Sequence, residues 1–286
     1  MDPALLTQDV VNALVLGALY TLVAIGLTLV FSIMRIINFA HAQMYVLGAF
    51  GFFYLYETGG VPWWLAAALS ALGVALVAVV LETLLIRPLH GDPLRSMIVT
   101  LGLLLLLNGA MVSAFGADEK VLAPVISGAV DLGVTSVALD KLVAAGVGLA
   151  LVAVLFVSLK WTRPGRAMRA VAEDPVGARL QGIRVHRINA LGFSVGSGLA
   201  ALAGGLILPV TSSVTPAVGD DILPKMFIIV IIGGLGSVGG AVAGAFVLAA
   251  IETIGFTYLG GVANLFIYLL VLAVLLVRPE GLFARA

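Results

Sequence analysis

Apolar runs long enough to be membrane helices alternate with short polar breaks along nearly the whole chain. A helix needs about 20 apolar residues to cross the hydrocarbon of a bilayer. The pattern predicts such spans over residues 10–33, 39–56, 65–86, 97–115, 142–159 and 188–208. Beyond them, 222–258 is too long for one span and is broken by the glycine-rich stretch 233–240, and a last run covers 262–277. Three short crossings in this C-terminal part bring the total to about nine, and a re-entrant half-helix at the glycine break brings it to about eight. The expected fold class is therefore all-α: a polytopic integral membrane protein forming a single transmembrane domain over residues 1–286. The longest polar break, 116–140, contains Pro124, Gly128, Gly133 and Thr135 and predicts turns or short extended pieces.

The placement of charge orients these spans. Residues 160–187 hold seven of the fifteen Lys and Arg residues, and Arg35, Arg87, His90 and Arg95 occupy breaks that fall on the same side. Basic residues beside spans stay in the cytoplasm, so this side is read as cytoplasmic, with the N-terminus in the periplasm. Arg278 and Arg285 place the C-terminus in the cytoplasm by the same rule, which favours an odd number of crossings after residue 208. Trp63 and Trp64 sit where an interfacial aromatic belt is expected. The first nine residues carry no basic residue, so the first run is expected to remain as a span and not to be cleaved as a signal peptide.

Within the basic segment the residues also spell out a short helix. Asp174 is a good N-cap, Pro175 suits the first helical position, and Gly182 can adopt the left-handed turn that ends a helix. Val176, Leu180 and Ile183 then share one side, flanked by Arg179. An isolated helix shorter than about 12 residues is marginal in water, so a helix encoded this clearly is expected to dock, with a cytoplasmic protein as the candidate partner. The alternative is a positive-inside loop that touches only lipid headgroups.

Composition narrows the chemistry. Sixty-two per cent of residues are hydrophobic and 10% charged, with net charge zero and no cysteine. That leaves no disulfide, thiolate metal site or cysteine nucleophile, and no basic surface for nucleic acid outside the segment already described. No phosphate-binding G-x-x-x-x-G-K-[ST] sequence is present, nor H-E-x-x-H, and neither catalytic residues nor metal ligands are expected on the chain. The few polar groups inside spans are functional candidates, because each ionisable one costs about 2.5–3.5 kcal/mol there. Asn38, His41 and Gln43 open the second span, with His41 either a hydrogen-bonding post near the cytoplasmic mouth or, with Asn38, a cap on the helix start. Glu82 reads as a paired or snorkelling carboxylate beside Arg87, and Glu252 as facing a cavity or a partner subunit. Asn108 is interhelical glue or a substrate ligand, and Ser197, Ser212, Ser213 and Thr215 line a path or bond to backbone. The 34 glycines cluster. The pairs Gly192/Gly196 and Gly240/Gly244 suit close helix packing, whereas Gly233, Gly234 and Gly236 either continue that packing or form unwound backbone lining a cavity.

Several stretches together carry a resemblance. Residues 165–174 followed by Val176-Gly177-Ala178-Arg179-Leu180-Gln181-Gly182 resemble the coupling loop of ABC importer permeases in the version found in branched-chain amino acid importers, although the Glu of the general Glu-Ala-Ala pattern is absent. Asn38-Phe39-Ala40-His41 is similar to a motif of that family, with Ala42 and Gln43 where Gly and an acid are commoner. Residues 191–204, 232–240 and the ending Arg278-Pro279-Glu280-Gly281-Leu282-Phe283 look like the corresponding segments of the same permeases. The resemblance implies a bacterial inner-membrane subunit of an ATP-driven importer. It implies a second related permease subunit, two cytoplasmic ATPases that use the ATP, and a periplasmic binding protein that delivers branched-chain or related hydrophobic amino acids. No cofactor is implied on this chain. Coupling to the ATPases would fall to Arg169, Glu173, Asp174, Pro175, Val176, Ala178, Arg179, Leu180, Gly182 and Ile183 within the loop 160–187. The translocation path would fall to Asn38, His41, Gln43, Asn108, Ser197, Gly233, Gly234 and Gly236. Amides or urea are alternative cargoes of this permease type. A stand-alone secondary transporter and a channel-like or structural membrane protein are the alternatives in other classes.

Overall fold

The computed structural model describes residues 3–131, 133, 135–278 and 281. The ending at Pro279, Glu280, Leu282 and Phe283 therefore lies outside the described residues, as does Arg285. Among the described residues, six stretches are long and apolar enough to cross a membrane: Ala4–Met34, Trp63–Leu89, Pro93–Phe115, Leu139–Trp161, Val185–Thr211 and Val238–Val277.

In chain order the helices are α1 (Pro3–Met34), α2 (His41–Phe53), α3 (Trp63–Leu81), α4 (Pro93–Phe115), α5 (Leu139–Trp161), α6 (Arg163–Glu173), α7 (Pro175–Leu180), α8 (Val185–Thr211), α9 (Val218–Gly233), α10 (Val238–Leu259) and α11 (Ala263–Val277). The helix widens into π-turns at Tyr54–Thr58 after α2 and at Glu82–Ile86 after α3. α1 and α8 form the buried centre, packed on each other and on α2, α3, α9 and α10. Close approach is possible because glycine meets backbone there: a Cβ on Gly26 would lie 2.5 Å from the Gly196 carbonyl oxygen, and one on Gly244 would lie 2.6 Å from that of Ile229.

The C-terminal part runs back and forth three times. Gly233 packs on Gly240 at one end, where Ser32 Oγ donates to the Gly236 carbonyl at 3.2 Å, and Thr257 Oγ1 donates to Asp9 Oδ1 at 2.8 Å at the other. α11 then returns, so that Gly281 lies against Gly234 and Ile231. Three successive helices, α9, α10 and α11, with a turn and not a half-helix at the glycine break, account for 218–277. The break itself is a tight turn, with Gly234 and Gly236 at φ of 89° and 88°.

Away from the basic face, 116–140 supplies short strands, as its turn residues predict. β1 (Lys120–Val121) pairs antiparallel with β4 (Ser213–Val214), and β2 (Ala129–Asp131) forms a hairpin with β3 (Ser136–Ala138). Two sequence expectations are corrected. The span expected to end at residue 208 runs on: Pro209 lies inside the last turn of α8, which continues to Thr211. The second span does not start at the membrane face: residues 35–40 fold back from the end of α1, and α2 begins inside the protein.

Candidate functional site

Two structures carry the candidate residues, one on the basic face and one in the interior. On the basic face, α6 is capped by Thr162 Oγ1, which accepts the Gly165 N–H at 3.1 Å, and it turns Met168 and Val171 inward. Sequence reading missed this helix, although Thr162, Pro164 and the spacing of Met168 and Val171 encode it. α7 follows directly. Asp174 Oδ1 accepts the Val176 N–H at 2.9 Å, and Pro175 opens the helix. At the other end Gly182, at φ 80°, lets the Ile183 N–H reach the Ala178 carbonyl at 3.0 Å and its own N–H reach that of Arg179 at 2.9 Å, the paired bonds of a Schellman stop.

The helix is thus closed at both ends by its own residues. Its exposed apolar side carries Leu180 at 83% exposure and Val176 at 62%, with Arg179 beside them. Ile183 is only half-buried, and Ala178, at 4%, faces the body of the protein, so it is an internal packing residue and presents nothing outward. Arg169 donates back to the Lys160 carbonyl at 3.2 Å, and Glu173 is exposed.

The interior structure is the head of α2. Arg35, at φ 55°, reverses the chain after α1, and its Nη2 donates to the carbonyl of Ala172 in α6 at 3.3 Å. The following irregular backbone runs inward until His41 Nε2 lies 3.2 Å from the Val23 carbonyl. Val23 is eleven residues before the end of α1, a depth of about 16 Å at 1.5 Å per residue. The reading of His41 as a post at the mouth is therefore corrected: it lies deep inside. The Asn38 side chain does not cap the helix either, since only its backbone carbonyl accepts, from the His41 N–H at 3.3 Å.

Irregular backbone at this depth is tolerated only within protein or beside water. Here Thr100 of α4 braces it, with Oγ1 3.0 Å from the Ile37 carbonyl and accepting the Phe39 N–H at 3.4 Å, a role that sequence reading did not assign. Asn38, His41 and Gln43 are fully buried. Gln43 adjoins the first turn of α9, where a Cβ on Gly219 would be 2.9 Å from its Nε2. Both side-chain polar atoms of Asn38 and of Gln43, with His41 Nδ1 and the buried Ser197 Oγ and Thr28 Oγ1, have no hydrogen-bond partner among the described residues. The structure does not bring Asn108 into this group; it is half-buried on α4. Nor does it bring Gly233, Gly234 and Gly236, which make the turn between α9 and α10.

The two carboxylates singled out within the spans, Glu252 and Glu82, are both paired. Glu252 of α10 accepts from Lys225 Nζ at 2.6 Å and from the Tyr20 hydroxyl at 2.9 Å, so it faces α9 and α1. Lys225 was not singled out from the sequence. Its lone cationic position in an apolar run, 27 residues before Glu252, was the available signal. Glu82 pairs with Arg87 at 3.0 Å, as its spacing suggests. His90, 3.8 Å from Glu82, is held below the ordinary imidazole range by burial, which outweighs the opposing pull of that carboxylate.

A helical bundle with a short, self-capped helix on its basic face and a broken helix carrying neutral polar groups in its interior fits a membrane permease. Residues 10–277 match the family described as the branched-chain amino acid transport system permease component, and the chain belongs to it. It is 30% identical over 293 residues to the high-affinity branched-chain amino acid transport system permease protein LivH of Salmonella typhimurium (strain LT2), covering 97% of this chain and 95% of that protein. LivH of Escherichia coli (strain K12) and BraD of Pseudomonas aeruginosa, which bears the same description, match at 30% over 298 and 295 residues, with 97% and 95% covered in each case.

Proposed function

We propose that this chain is the membrane subunit of an ATP-driven importer of the inner membrane, carrying branched-chain or related hydrophobic amino acids handed over by a periplasmic binding protein. It acts with a second, related permease subunit and two cytoplasmic ATPases. ATP is consumed on those partners, and the chain itself performs no chemistry. The N-terminus lies in the periplasm and the basic face in the cytoplasm, as the charge distribution requires.

The observation that carries the reading is the path from lever to interior. α7 offers Leu180 and Val176 to a partner, the single extended residue Asp174 joins α6 to α7, and Arg35 ties the Ala172 carbonyl of α6 to the start of the folded-back segment. Motion of the lever is therefore delivered to the head of α2. That head suits an amino acid zwitterion: amide, imidazole and hydroxyl groups supply donors and acceptors without net charge, and apolar walls receive the side chain. Leaving such groups unpaired costs about 1–3 kcal/mol each, which a substrate or water passing through offsets. Candidate contacts to the ATPases are Val176, Arg179 and Leu180, with Arg169, Glu173 and Ile183 at the margin and Asp174, Pro175, Ala178 and Gly182 shaping the helix. Candidate path residues are Asn38, His41, Gln43 and Ser197.

The test is uptake and ATP hydrolysis by the reconstituted complex. Leu180→Asp places a charge on the exposed apolar side without touching the core, so it is expected to abolish uptake while ATP hydrolysis continues. Uptake at the unmodified rate in this variant would reject the lever. Uptake by the chain alone under an ion gradient without nucleotide would reject the ATP-driven reading altogether.

A further inference from the structure

A cavity of about 490 Å³ opens on the basic face between the end of α1, α7 and the first turn of α8. Arg35, Arg179 and Arg184 line it, one from each of these three places, and no acidic residue does. None of the three guanidinium groups is in a salt bridge among the described residues; Arg35 has only the Ala172 carbonyl. Ile33 and Val171 give the cavity an apolar wall. Asn189, 6% exposed, lines it with an Oδ1 that lacks a hydrogen-bond partner.

We propose that this cavity binds the headgroup of an anionic phospholipid, a phosphate diester whose alcohol carries hydroxyls. The phosphate is the group that planar guanidinium forks hold best, and three arginines line the cavity with no carboxylate among them to compete. A glycerol hydroxyl donates to Asn189 Oδ1, which bare phosphate at neutral pH does less well. The level is that of headgroups, because the long apolar run of α1 ends at Met34, beside Arg35. Basic pockets at the ends of membrane helices are built for this chemistry. A bound headgroup links the end of α1 to α7 and α8, and so joins the lever to the folded-back segment through a lipid as well as through protein.

The experiment is native mass spectrometry of the full-length chain in detergent, with phosphatidylglycerol or phosphatidylcholine added at equal concentration. Phosphatidylglycerol is expected to be retained preferentially. Arg184→Gln, whose side chain is exposed, and Arg179→Gln should each reduce that retention about tenfold or more, the effect of losing one charge-assisted contact. Thermal melting of both variants in detergent checks that the fold is kept. Equal retention of the two lipids, or retention at the unmodified level in both variants, overturns the proposal. Displacement of phosphatidylglycerol by millimolar inorganic phosphate overturns the lipid assignment and makes soluble phosphate the ligand. Because retention is read on the isolated chain, the outcome is independent of whether the importer reading holds.

Discussion

Glu252 offers the sharpest test of how the bundle is held. Its carboxylate receives Lys225 Nζ at 2.6 Å and the Tyr20 hydroxyl at 2.9 Å, joining α10, α9 and α1. Removing one partner of a fully buried pair costs about 3–5 kcal/mol, because the other charge is left uncompensated. The Lys225 side chain is 27% exposed and that of Glu252 10%, so solvent reclaims part of this loss and about 2–3 kcal/mol is the expected cost of Glu252→Gln. That is roughly a thirtyfold to 150-fold shift toward the unfolded state. Tyr20→Phe, losing one hydrogen bond to a charged group, should cost about 1.5 kcal/mol. The decisive measurement is a double-mutant cycle of Lys225→Met and Glu252→Gln, read by reversible unfolding of the purified chain in mixed micelles. The double variant should be more stable than the sum of the singles by about 2 kcal/mol. Additivity within about 0.5 kcal/mol would show that the two groups are solvated independently and would refute the reasoning.

Two further outcomes follow from the packing and from the lever. Gly48→Ala drives a methyl into the backbone of Ala201 and should lower stability by about 1–3 kcal/mol, whereas Gly102→Ala, with nothing within 4 Å, should be neutral or stabilising by up to about 1 kcal/mol; survival of both variants through a heating step in detergent separates them. Asp174→Ala removes the N-cap of α7, and Gly182→Ala puts a side chain in a left-handed turn with open space around it. Each should weaken α7 by about 1 kcal/mol and be seen as faster amide hydrogen exchange over 176–183, with exchange in α8 unchanged.

Much of this protein is written locally. The apolar runs, the β2–β3 hairpin of the long polar break and the capped helix at 175–180 each follow from residues within a few positions of one another: Asp174 caps because it precedes Pro175, and Gly182 stops the helix because it lacks a Cβ. The pairing of Glu82 with Arg87 is equally local, five residues apart on one strip of chain. These features need no knowledge of what lies across the bundle, and they include every residue of the lever. Even α6 was encoded this way, by a cap and an inward spacing.

The interior was decided elsewhere. Nothing within residues 36–40 distinguishes an apolar segment leaving the membrane from one folding back into it. Its course is set by Thr100 on α4, by the Ala172 carbonyl that holds Arg35, and by Gly26 and Gly196, which let α1 and α8 close up around His41. For the same reason Lys225 and Glu252 look like two isolated charges until antiparallel α9 and α10 put them in contact. Sequence alone determined most of the apolar helices and both ends of α7, because those energies are short-range. Only the tertiary structure could decide which polar groups meet, because that depends on the packing of segments as far as 248 residues apart.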